Sequence, residues 1–144
     1  MKDIYSRIAL DKTRKAKERI RAIYDIKNQR VLYKIALKDE NPAIRLEATK
    51  ALKVDKYLNI IARYDEKIYI RIAAVERIFS MDLLYKIAMS NKYHFVVRRK
   101  AIECQKISGY LSEIIAHVSS RELHFAGLER LEKLREERQR RNKA

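Results

Sequence analysis

Residues that make tight turns and cross-links are scarce in this chain. Two glycines and one proline in 144 residues disfavour many-stranded sheets and glycine-rich phosphate loops. A single cysteine, Cys104, excludes an internal disulfide framework and fits a reducing compartment. Tryptophan is absent. The apolar runs are only a few residues long, too short to cross a bilayer. Lys2 and Asp3 follow Met1 with no apolar signal core behind them, so secretion is not expected and a cytoplasmic location is.

What remains is rich in Ala, Leu, Ile, Glu, Lys and Arg, with 47% apolar and 37% charged residues, the composition of a helical protein. The net charge of +15 is spread along the chain: +6 over residues 1–30, +3 over 31–80, +4 over 81–110 and +2 over 111–144. It is densest from Asp11 to Arg21 and from Val96 to Lys100. A field of this sign draws polyanions but specifies no fold.

One pattern recurs. "LYKIALKDENPAIRLEATKAL" from Leu32 is echoed by "LNIIARYDEKIYIRIAAVERI" from Leu58 and "LYKIAMSNKYHFVVRRKAIEC" from Leu84, with looser copies from Tyr5 and Ser112. Aligned on an Ile-Ala pair, the alanines are Ala9, Ala36, Ala62, Ala88 and Ala116, at steps of 27, 26, 26 and 28. A period of this length signals stacked helical repeats. Each copy reads as two short helices. Leu32, Ile35 and Ala36 mark the packed face of the first, and Ile44, Ala48, Ala51 and Leu52 that of the second. Pro42 suits a first helical turn, where its missing N–H would be unpaired anyway. The units expected are 2–26, 30–53, 56–79, 82–107 and 110–134, one domain ending in a basic helical extension over 135–144 that frays.

Asp39, Pro42, Ile44-Arg45, Ala48 and Ala51-Leu52 resemble a HEAT repeat. Ile70-Arg71 with Ala74 and Ile78, and Val97-Arg98 with Ala101, match it less fully. The resemblance implies an all-α superhelical solenoid of about five hairpins whose second helices line a concave side. It also implies that the turn aspartates, Asp39 and Asp65, form a ladder between repeats with Arg45 and Arg71. Arg98 has Ser90-Asn91 in place of the turn acid and is left freer to bind.

Equivalent second-helix residues form columns in such a stack. One column reads Glu18, Lys50, Glu76, Glu103, Glu129, which breaks up any uniformly basic groove. Two others read Arg14, Leu46, Ile72, Arg99, Phe125 and Lys17, Thr49, Val75, Ile102, Leu128. If these face solvent they form an apolar stripe with a charged rim, the mark of a protein-binding surface; the alternative is burial between repeats. The leading expectation is therefore a non-catalytic scaffold binding a protein partner through Leu46, Ile72, Val75, Ile102 and Phe125. The second is sequence-nonspecific DNA or RNA binding through Arg98, Arg99 and Lys100 with Lys12, Arg14, Lys15, Lys17 and Arg21.

Enzyme chemistry has little support in these residues. Glu113, His117 and His124 lack the paired spacing of a zinc site, and Cys104 sits in a column of packing residues and arginines. No cofactor, small-molecule substrate or membrane association is expected. HEAT-like alkylpurine DNA glycosylases offer a distant third reading, but they use tryptophan, which this chain lacks.

Overall fold

The computed structural model describes residues 3–144, so the expected start of the first hairpin at residue 2 lies outside the described residues. Those residues are all-α, with no strand among them. The helices pair as α1 (Ile4–Leu10) with α2 (Ala16–Ile23), α3 (Gln29–Lys38) with α4 (Pro42–Ala51), and α5 (Asp55–Tyr64) with α6 (Ile68–Arg77). Then come α7 (Met81–Met89) with α8 (Phe95–Cys104), and α9 (Ser108–His117) with α10 (Arg121–Lys143). Local chemistry sets the starts. Asp3, Asn28, Asn41, Ser80 and Ser120 each accept an N–H of the first turn of their helix, and Pro42 occupies the first turn of α4. Helices α1 to α9 are seven to ten residues long. Such lengths are marginal alone in water, so packing between hairpins supplies the stability.

The chain forms two compact units, Met1–Phe79 and Ser80–Ala144. In the first, α1, α3 and α5 pack in series, as do α2, α4 and α6, giving a layer of first helices on a layer of second helices. In the second, α7 packs on α9 and α8 on α10. Ala9, Ala36, Ala62 and Ala88 are all fully buried where paired helices approach. Second helices contribute Ile44, Ala48, Ile70 and Ala74 to the core of the first unit, and Val97, Ala101 and Leu123 to that of the second.

Two registers differ from the sequence expectation. Ala116 is exposed, whereas Leu111 and Ile114 are buried like Leu84 and Ile87. Ile115, not Ala116, thus occupies the alanine position, and the step from Ala88 is 27. The facing second-helix residue is Gly127, where a Cβ would lie 2.8 Å from Ile115 Cγ1. The larger Ile115 is accommodated because its neighbour has no side chain.

The other shift lies in the first hairpin. An Arg-x-x-Ala signature, its arginines buried at Arg19 and Arg45 and half-buried at Arg71 and Arg98, runs Arg19-Ala22, Arg45-Ala48, Arg71-Ala74 and Arg98-Ala101, ending in His124-Gly127, at steps of 26, 26, 27 and 26. The counterpart of Leu46 is therefore Ile20 rather than Arg14, and that of Thr49 is Ile23 rather than Lys17. Glu18 replaces the apolar residue that precedes the arginine elsewhere (Ile44, Ile70, Val97), which hides the match.

The arginine column binds the hairpins of the first unit together. Arg19 pairs with Asp39 and donates from Nε to the Ala9 carbonyl at 2.8 Å. Arg45 grips Asp65 through Nε at 3.0 Å and Nη2 at 3.3 Å, and donates to the Asp39 carbonyl at 3.0 Å. Hydrogen bonding to Asp65 raises the Arg45 pKa above its ordinary value despite burial. Arg71 turns back to the Asp65 carbonyl of its own hairpin. In the second unit Arg98 donates to the Ala88 carbonyl at 2.8 Å, and His124 Nδ1 lies 2.9 Å from the Ile115 carbonyl. These side chains satisfy carbonyls at the ends of first helices, where no intrahelical partner exists. Buried Gln105 does comparable work, donating to the Met81 carbonyl at 2.9 Å and accepting from the Lys106 and Ile107 N–H groups.

Candidate functional site

On a second helix, residues three apart point about 60° from one another, and this separates the two apolar columns. Ile23, Thr49, Val75 and Ile102 are fully buried. A partner docking on the folded chain touches neither Val75 nor Ile102, which face adjacent helices. The column three residues earlier is only half-buried at Ile20, Leu46 and Ile72 in the first unit. In the second unit it holds Arg99 and Phe125, the latter 53% exposed. Phe125 stands edge-on to His124, with the Arg121 guanidinium 5.7 Å from its ring centre. Leu128, one turn further along α10, is also exposed.

Around the first unit's apolar row the charges are of both signs. Arg21 and Glu47 flank it on one side, and Tyr24, Lys50 and Glu76 follow one turn on. The Tyr24 hydroxyl donates to the Glu47 carboxylate, and that bond raises the phenol's pKa above its usual value. Burial opposes ionisation of Glu47, but hydrogen bonds from Tyr24 and Lys50 outweigh it and hold the carboxyl below its ordinary range. The rim of the row is thus fixed by contacts between hairpins: Tyr24 belongs to the first and Glu47 to the second.

The basic candidates divide by what they already touch. Lys12 pairs with Glu40, and Arg14 lies 3.4 Å from both Asp11 and Glu18. Arg98 is partly buried on its carbonyl, and that burial lowers its pKa. Lacking a turn aspartate therefore does not free Arg98. Arg99 and Lys100 converge on Glu103 at 3.2 and 3.1 Å, which offsets the charge of the "VVRRK" patch. Lys15, Lys17 and Arg21 are exposed and form no ion pair with a described carboxylate. They share α2 and its N-terminal boundary, where Lys15 is the N-cap.

A second cationic group emerges only from the three-dimensional arrangement. At the C-terminal ends of α2 and α4, Lys27, Lys50, Lys53 and Arg77 surround a groove of about 600 Å³, completed by Tyr24, Ile26, Gln29 and Ala51. No carboxylate lines it. Lys27 and Lys53 are equivalent positions 26 residues apart, a signal present in the repeat once the first hairpin is correctly aligned.

Four of the tyrosines that interleave with the basic residues serve packing, whereas Tyr5, Tyr24, Tyr64 and Tyr69 are exposed. Tyr33 stacks on Tyr57 with centroids 4.2 Å apart, and Tyr85 on Tyr110 at 4.9 Å, each pair joining neighbouring first helices within one unit. The histidines are likewise engaged in the helical frame: His94 caps α8 by accepting from Val96 N–H, and His117 lies 3.0 Å from the Glu113 carbonyl. Cys104 is half-buried at the end of α8.

No protein-family model, curated protein or solved structure matches this chain.

Proposed function

We propose that the chain is a non-catalytic scaffold of HEAT-like hairpins that binds a protein partner on its second-helix layer. The observation that carries this reading is the row Ile20, Leu46 and Ile72: apolar, only half-covered, repeated in three successive hairpins, and bordered by charges of both signs. A desolvatable apolar strip inside a polar rim is the general anatomy of a protein interface. Phe125 and Leu128 extend the same chemistry to the second unit as separate exposed anchors. Val75 contributes by packing within the first unit, holding a helix that displays the row, and Ile102 by packing within the second.

A direct test is selection from a random-peptide display library against the whole chain, with selected peptides re-measured by fluorescence anisotropy. Leu46→Asp is expected to weaken them at least about tenfold, the loss of one interface anchor. Circular dichroism and urea unfolding establish that the variant remains folded, and Ile72→Ser provides a milder second variant on the same row. Failure to select any peptide, or peptides indifferent to both substitutions, refutes the reading.

Sequence-nonspecific nucleic-acid binding is favoured by one observation, the exposed cations Lys15, Lys17 and Arg21 at the N-cap and along α2, which ion-pair with no described carboxylate. Neutralising about four phosphates would make affinity fall on the order of a hundredfold between 50 and 200 mM salt. Labelled duplex and single strands that do not bind at the lower salt would eliminate this reading.

A further inference from the structure

We propose that the partner segment recognised by the first unit is acidic and amphipathic, its apolar side lying on Ile20, Leu46 and Ile72 and its carboxylates reaching the groove of Lys27, Lys50, Lys53 and Arg77. The inference rests on the scaffold reading above and specifies the partner's chemistry.

The groove has more positive charge than helix stability explains. Lys50 and Arg77 lie in the last turns of α4 and α6, where cations oppose the helix dipole. Both are also tethered: Lys50 to Glu47 at 3.2 Å, and Arg77 to the Leu52 carbonyl at 3.4 and 3.5 Å. Lys27 and Lys53 have neither role. They lie beyond the C-caps Tyr24 and Leu52 and ion-pair with no described carboxylate, and both are exposed. Two charges, Lys27 and Lys53, therefore line the groove with no ion-pair partner among the described carboxylates, Glu47 being taken up by Lys50 and Tyr24. Beside them Gln29 uses its side-chain oxygen to accept the Lys53 N–H at 2.7 Å, which leaves its amide N–H groups as donors.

Position ties this groove to the apolar row. Leu46 precedes Lys50 by four residues, about 6 Å along α4 at 1.5 Å per residue, and Lys53 lies just beyond the C-cap of that helix. That distance is comparable with the radius of a helical peptide with its side chains. An amphipathic segment laid across the three second helices thus places its apolar stripe on the row and one charged flank at the groove, the helix-in-groove mode of recognition. Glu47, one residue after Leu46 of the row, is bonded to Tyr24 and Lys50 of the groove. It disfavours a phosphodiester chain, which is negative at every step, more than a peptide that carries its carboxylates on one edge.

The test uses peptides selected on the full chain. Wild-type selection is expected to enrich Asp and Glu beside apolar residues at helical spacing. Lys27→Glu with Lys53→Glu is expected to weaken those peptides at least about tenfold, by charge reversal at a desolvated contact. Replacing the peptides' acidic residues with Lys is expected to restore binding to that variant. Both lysines are exposed, and matching urea curves will show that the variant is folded. Peptides of neutral or basic composition, or an affinity unchanged by the double substitution, overturn the proposal. If Leu46→Asp abolishes binding while Lys27→Glu with Lys53→Glu does not, the scaffold reading survives and the acidic partner falls. If no peptide is selected, both fall. If oligo-dT binds the chain more tightly than any selected peptide and loses affinity with the two lysines, the groove serves nucleic acid and the proposal is overturned.

Discussion

Replacing Gly127 with alanine distinguishes this packing from an ordinary helix. In an unobstructed helix interior, Gly→Ala stabilises by about 1 kcal/mol through backbone entropy. Here the added methyl would stand 2.8 Å from Ile115 Cγ1 and 3.6 Å from its Cδ1. The nearer atom is next to the branch point of Ile115, so a simple rotation of the side chain's tip does not clear it. Overpacking of this kind costs about 1–3 kcal/mol, which outweighs the entropic gain and leaves a net loss of about 1 kcal/mol. Ile115→Ala restores the residue found at Ala36, Ala62 and Ala88 and opens the space. In that background Gly127→Ala should stabilise by about 1 kcal/mol, its unobstructed value. The sign reversal implies a coupling of about 2 kcal/mol in a double-mutant cycle, measurable by urea unfolding followed by circular dichroism. Additive effects, or stabilisation by Gly127→Ala in the natural sequence, would refute the one-residue register assigned to the last hairpin.

Three further outcomes are expected. Asp39→Asn removes the counter-charge of Arg19, which is buried, and should destabilise the chain by about 3 kcal/mol, as breaking buried pairs does; a loss below about 1 kcal/mol in urea would remove the arginine column from the stabilising framework. Tyr33→Leu and Tyr57→Leu should show a coupling of about 0.5–1.5 kcal/mol, the range of stacked aromatic pairs, and an additive cycle would contradict it. The Asp3 and Asp82 carboxyls should titrate below their ordinary value by NMR, because Ser6 donates to the first and Lys86 to the second. With folded values depressed, these groups add stability above the unfolded carboxylate range, and it is lost as pH falls below about 4; chemical-shift midpoints at or above the ordinary value would exclude that contribution.

The hairpin architecture was legible because its signals are local and recur. Ala36, Ala62 and Ala88 each follow an apolar partner at helical spacing, and Arg45, Arg71 and Arg98 each open a second helix three residues before an alanine. The end hairpins obscured the same signals. Glu18 broke the apolar-Arg pair of the first, and an adjacent alanine disguised Ile115 in the last. Which apolar column is buried was not legible. Leu46 and Thr49 lie about 60° apart on one helix, and only the placement of neighbouring second helices decides between them. The candidate groove was also hidden, since Lys27, Lys50, Lys53 and Arg77 come from different turns of the chain. Arg98 failed as a free cation because the Ala88 carbonyl at the end of α7 accepts from its Nε, as the Ala9 carbonyl does from Arg19.

The outward display of one second-helix row, with burial of the row beside it, can be measured by thiol labelling. In a Cys104→Ala background, cysteines at Leu46 and Ile72 should react readily under native conditions and be slowed by a selected acidic peptide. Cysteines at Val75 and Ile102 should react only through unfolding. Fast native labelling of the latter pair, or no peptide protection of the former, would contradict the proposed binding face.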